Sequence, residues 1–179
     1  LRADQIAYFL AAFVFGGALA QYPIGWLADK FDRRWVLIWQ SVAAIISCMV
    51  TNVIVDAGTT AIMIGAAFFG LTTFPIYSVA AAHAHDFASD DERVELSAAL
   101  MFFFALGAIA SPLLSSSLIN WYGPSALFIM IACGHAVLVV FGLLRMRARD
   151  TVSERTPYVY APRTSFVIGR LSKGLRRKK

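Results

Sequence analysis

Residues 95–119 read ELSAALMFFFALGAIASPLLSSSLI, and after Glu95 the run carries no charge. A membrane span needs roughly 20 predominantly apolar residues at about 1.5 Å rise each, and this run suffices. Four others do as well, at about 5–28, 35–54, 58–82 and 124–145. None alternates apolar and polar residues as barrel strands do. The expected fold class is therefore an all-α membrane protein with five transmembrane helices over residues 1–146, followed by a basic tail over 147–179.

Composition agrees. The chain is 59% hydrophobic and 15% charged, against about 25% charged in a soluble domain. Its net charge of +5 does not point to nucleic acid, because the basic residues sit between and after the apolar runs. Cys48 and Cys133 lie inside apolar runs and read as buried thiols. No Cys/His cluster suggests zinc, and no cofactor is called for. Leu1 stands where Met would be expected and no signal peptide precedes it, so the chain reads as part of a longer polypeptide.

Lys and Arg set the orientation. Lys30, Arg33 and Arg34 lie between the first and second runs, and Arg93 between the third and fourth. The tail opens with Arg145, Arg147 and Arg149 and closes on Arg176, Arg177, Lys178 and Lys179. The other two connections carry no basic residue. These basic segments belong in the cytoplasm, with the C-terminus. The last nine residues would attract anionic lipid, or else form a solvated tail.

The end of the first run, Gly25 to Asp32, echoes Ser116 to Gly123 at the end of the fourth, with Leu27 on Leu118 and Asp29 on Asn120. The two copies are three helices apart and so end on opposite sides, the pattern of inverted three-helix repeats.

Gly25-Trp-Leu-Ala-Asp-Lys-Phe-Asp-Arg-Arg34 resembles the signature loop of the major facilitator superfamily, with Asp32 in place of the usual second glycine. Phe74-Pro-Ile-Tyr-Ser-Val-Ala-Ala-Ala-His-Ala-His-Asp86 and Ala161-Pro-Arg-Thr-Ser165 look like the uncharacterised bacterial YcaD-like branch of that family. The resemblance implies helices eight to twelve of a twelve-helix fold, the N-terminal half of the same transporter as partner, and residence in the cell inner membrane.

Two sets of site residues follow. The first is a conformational latch of Gly25, Asp29, Lys30, Arg33, Arg34, Asp86 and Glu92. Gly17, Gln21 and Gly25 share a face on which Gly25 would let a neighbouring helix approach. Asp29 would accept backbone N–H groups at a helix N-terminus. Arg33 and Arg34 would pair with Asp86, Asp90, Asp91 or Glu92; the plainer reading is that these cations only set topology. The second set is Phe69, Thr73 and Tyr77, one face of the third run at i, i+4 spacing. Aromatic and hydroxyl groups there suit an amphiphilic organic substrate, with helix packing as the alternative. Pro75 would free carbonyls near Leu71, which need a receiver at membrane depth. On the fourth run, Phe104, Gly107, Ser111 and Ser115 form a second candidate cavity face, with close packing as the stronger reading.

None of the eleven acids lies mid-span. A proton is a candidate coupling ion, and His135 is the one mid-span imidazole; a coupling carboxylate would sit in the other half. His83, His85 and Asp86 lack the spacing of a metal site, and Ser115 to Ser117 lack a His–Asp partner. The expected function is secondary transport of a small organic solute by alternating access, not an enzyme's. The alternative is a non-transporting scaffold or sensor with the same fold.

Overall fold

The structure, a computed structural model, describes residues 3–54 and 57–148. In chain order the helices are α1 (Ala3–Lys30), α2 (Arg33–Val53), α3 (Thr59–Thr73), α4 (Pro75–His85), α5 (Arg93–Tyr122) and α6 (Ser125–Ala148). Five units are long and apolar enough to cross a membrane: α1, α2, α3 with α4, α5 and α6. No strand occurs among the described residues. The Ala161–Ser165 motif and the basic residues from Arg149 onward lie outside them.

The connections are built by specific side chains. Asp32 sits at φ −61° and its carboxylate accepts the Arg34 N–H at 3.0 Å. It caps α2, a role glycine could not fill with a side chain. Gly123, at φ 85°, ends α5 and turns the chain into Pro124.

The third span breaks at Phe74 because Pro75 has no N–H to donate to Leu71. The freed Leu71 carbonyl accepts from Gln40 Nε2 at 3.1 Å, and Gln40 is buried. Protein, not water, receives it. Replacing Gln40 by Leu strands that carbonyl at membrane depth and should cost about 1–2 kcal/mol. Thermal unfolding of the purified protein measures this. An unchanged melt for Q40L would mean that Leu71 has another donor.

α1 packs chiefly on α3, and α2 on α6. The α1–α3 contact is made by small residues. A Cβ on Gly16 would overlap the Ala67 carbonyl, and one on Gly70 the Phe13 carbonyl. Ala20 and Ala66 are buried beside them. A Cβ on Gly17 would overlap the Phe74 ring, but one on Gly25 meets nothing within 4 Å among the described residues. The close approach expected at Gly25 is thus made a little over two turns earlier. The reason is that the helices touch at mid-depth, where both present small residues.

The core is thin and made largely of small residues such as Ala44, Cys48, Ala66 and Ala132. Cys133, in contrast to Cys48, is exposed, so only one thiol is buried. α5 has no buried residue, and a Cβ on Gly107 would meet nothing within 4 Å. Of the face expected along Phe104, Gly107, Ser111 and Ser115, Phe104 packs on Tyr77 of α4 with ring centroids 5.2 Å apart. Ser115 instead donates to the Pro112 carbonyl of its own helix at 3.1 Å.

Candidate functional site

Two arrangements stand out, and they share one end of the bundle. There the ends of α1, α4 and α6 meet the starts of α2 and α5, and Lys30, Arg33, Arg34, Arg93, Arg145 and Arg147 gather. We call this the basic end.

Arg33 is the hub of the first arrangement. One guanidinium nitrogen, Nη1, donates to Asp86 Oδ1 at 2.5 Å and to the Ala82 carbonyl at 2.9 Å. The other, Nη2, donates to Asp29 Oδ1 at 3.1 Å. A planar fork with several fixed donors suits such a junction; a lysine ammonium does not. One side chain thereby ties the end of α1 and the start of α2 to the end of α4. Just behind it, Ser78 Oγ donates to Gln21 Oε1 at 3.2 Å across α4 and α1.

The other residues expected here lie elsewhere. Asp29 receives the Arg33 side chain rather than a helix N-terminus, because Arg33 is one turn on and reaches it first. Lys30 lies 4.3 Å from the centre of the Trp26 ring. Arg34 faces Asp32, at 3.6 Å. Glu92 accepts from Ser89 N–H at 3.1 Å and Ser89 Oγ at 2.6 Å, which holds its carboxyl below the usual carboxylate range. It closes a local turn and does not reach Arg33 or Arg34. Asp90 pairs with Arg93 at 3.2 Å. Of the acids in this loop, Asp86 reaches Arg33 of the first loop, because it follows directly on α4, which ends beside α2.

The second arrangement is a cavity of about 690 Å³ between α2, α4 and α6, with Phe13 of α1 and the end of α3 at its inner part. Phe69, Thr73 and Tyr77 all line it. Their hydroxyls are partly engaged: Thr73 donates to the Phe69 carbonyl at 2.8 Å, and Tyr77 points at Met101 Sδ, 3.7 Å away. The Phe69 ring stacks on Phe13 at 5.4 Å and meets Phe128 edge-on at 5.9 Å. This wall is therefore shaped by aromatic packing. The volume falls in the range of small-molecule sites, about 300–1,000 Å³.

Several lining residues were not singled out as such from sequence. Arg34, His83 and Arg145 stand at the basic end, and His135 and Ser41 lie further in. The signal available was positional: a basic residue or histidine at the same-side end of three of the five spans, the start of α2 and the ends of α4 and α6. His83 packs edge-on against Phe87 at 5.2 Å with Asp86 3.9 Å away, and His85 Nε2 lies 3.3 Å from Ser97 Oγ.

Comparison with known proteins adds the lineage. A family model described as Major Facilitator Superfamily matches residues 1–177. An uncharacterized MFS-type transporter of Yersinia pestis (strain Pestoides F) is 33% identical over 154 residues, covering 86% of this chain and 38% of that protein. The uncharacterized MFS-type transporter YcaD of Escherichia fergusonii is 33% identical over 151 residues, covering 83% and 37%. One from Enterobacter sp. (strain 638) is 30% identical over 156 residues, covering 87% and 38%. The chain spans less than two-fifths of the length of each of these relatives.

Proposed function

This chain belongs to the major facilitator superfamily, and from that premise we propose that it is the C-terminal half of a secondary carrier. The carrier moves a small organic solute across the cell inner membrane by alternating access, together with an N-terminal half. The observation that carries this reading is the family match over residues 1–177 on a chain of five membrane-spanning helices, in which Phe69, Thr73 and Tyr77 line a cavity. Aromatic faces and hydroxyls at that depth suit an amphiphilic organic molecule.

The basic end and the C-terminal tail lie in the cytoplasm by the distribution of Lys and Arg, and the tail's cations attract anionic lipid there. The Arg33 junction acts as the conformational latch, with Asp29 and Asp86 as its anchors. Gly25, Lys30, Arg34 and Glu92 complete the proposed latch around the junction, Gly25 lining a small cavity beside Asp29, Arg33 and α4. A proton is a candidate coupling ion, and the carboxylate that carries it would sit in the N-terminal half.

An uptake screen on the whole protein in proteoliposomes tests the carrier reading. A solute should accumulate or exchange, and changing Tyr77 or Phe69 to Ala should raise its KM about tenfold, the loss of one aromatic contact in an apolar site. Uptake with an unchanged KM in both variants would remove this face from the substrate site. No uptake of any solute class would favour the scaffold.

A further inference from the structure

We propose that His83 is a positioning residue that makes the Arg33–Asp86 junction sensitive to pH at the basic end. When its ring gains a proton, it competes with Arg33 for Asp86 and loosens the tie between α2 and α4. This rests on the reading of the junction as a latch and adds what governs it. The proton binds at the junction and is separate from any that travels with solute.

The first observation is a shared carboxylate. Asp86 gives Oδ1 to Arg33 Nη1, while its Oδ2 lies 3.9 Å from His83 Nδ1, nearly one turn back along α4. That separation is too long for a hydrogen bond to a neutral ring, so Arg33 is the close partner of the carboxylate. A protonated ring in the same place is a second cation beside the same two oxygens. Two cations that share one carboxylate also repel each other, so each holds it less firmly than it would alone.

The second observation is what surrounds the ring. Phe87 meets it edge-on at 5.2 Å, and the His83 side chain is 22% exposed. It lines the mouth of the larger cavity together with Arg34 of α2 and Arg145 of α6, and no acid lines that cavity among the described residues. The charged groups facing it are therefore Asp86 beside its own helix, Arg33, Arg34 and Asp32 at the start of α2, and Arg145 across the mouth. Asp32 is already engaged, as the cap of α2 and the partner of Arg34. That leaves Asp86 against three guanidinium groups, and a proton on His83 adds a fourth cation. Relief comes from drawing Asp86 toward the imidazolium and moving the guanidinium groups off, which separates α2 from α4. His85 takes no part, since its Nε2 lies 3.3 Å from Ser97 Oγ of α5. Imidazole is the side chain whose charge ordinarily changes between about pH 5 and 8.

The test is a double-mutant cycle on the whole protein in mild detergent, read by thermal melting at about pH 8 and about pH 5.5. Arg33→Gln and Asp86→Asn break the pair singly and together. The amount by which their melting shifts fail to add measures the coupling between them. The double variant should lose less than the sum at the higher pH, and this shortfall should drop about twofold at the lower one. With His83→Gln in every member of the cycle, the shortfall should be the same at both. With His85→Gln it should still drop. H83Q keeps every carboxylate, so it still shows any change that a carboxylate causes. A shortfall indifferent to pH in the native background overturns the proposal, and so does one that still drops with H83Q. His83→Asn repeats the comparison where H83Q gives no folded protein. The cycle needs no transport. A coupling that responds to pH through His83, in a carrier whose R33A variant transports normally, supports the proposal and refutes only the latch. A coupling indifferent to pH, in a carrier that needs Arg33, refutes only the role of His83.

Discussion

Gly70→Val should remove most of the folded protein from the membrane fraction, the largest effect expected of any single substitution in this chain. The Phe13 carbonyl of α1 occupies the space a Cβ would need, and Gly16 meets the Ala67 carbonyl of α3 in the same way. Backbone meets backbone at both points, so there is no flexible side chain to give way. Relief requires the two helices to separate, which strips contact from Ala20 and Ala66, both buried now. The cost belongs at or above the upper end of the usual overpacking range, about 1–3 kcal/mol. Gel-filtration yield in mild detergent and a thermal melt measure it. Gly25→Ala is the matched control, because nothing among the described residues lies within 4 Å of the added methyl. It should fold normally; if it folds but fails in transport, Gly25 acts against the N-terminal half. A wild-type melt for G70V would mean that α1 and α3 are not in contact at this depth.

Arg33→Ala should reduce transport about tenfold while leaving the protein in the membrane. The substitution removes donors from Asp29, Asp86 and the Ala82 carbonyl at once. Hydrogen bonds to charged groups contribute about 1.5–3 kcal/mol when sheltered. Here Arg33 is 22% exposed, Asp86 33% and Asp29 54%, so solvent screening lowers the stability loss to about 1–2 kcal/mol. The functional loss is larger because the junction fixes how α4 meets α1 and α2. Arg33→Lys should recover little, since one ammonium cannot span the three acceptors. Asp29→Asn should be milder in stability, as its carboxylate is the most exposed of the three groups. Uptake by reconstituted protein, set against surface expression, reads the effect. Normal transport by R33A would reduce the cations of this loop to topology signals.

Much of the fold was legible because a membrane imposes it. Charge-free runs of span length must be helices, and basic residues on alternate connections fix their number. The cavity face was legible too, since i, i+4 spacing places Phe69, Thr73 and Tyr77 together whatever lies opposite. That an arginine of the basic loop would meet an acid of the next followed from the two loops sharing one side, but not that the pair is Arg33 with Asp86. What sequence withheld was which neighbour each face meets. A stripe through Gly17, Gln21 and Gly25 indicates a narrow surface, but not that contact falls at Gly16 and Gly70. The pairing of a Gly16–Ala20 step with an Ala66–Gly70 step was the available signal. Pro75 announced a freed carbonyl, yet its donor, Gln40, lies 31 residues earlier on another helix. No local pattern could join them. Asp32 read as a departure from the motif, because a capping carboxylate is recognised only by the N–H it meets.

The two carbonyls seated over Gly16 and Gly70 also interlock α1 and α3 against sliding and set how closely they approach. Whatever rearrangement the molecule undergoes, the separation of these two helices should be the quantity that stays constant. They are its built-in gauge block, and displacements of the remaining helices acquire a definite scale when measured from that pair.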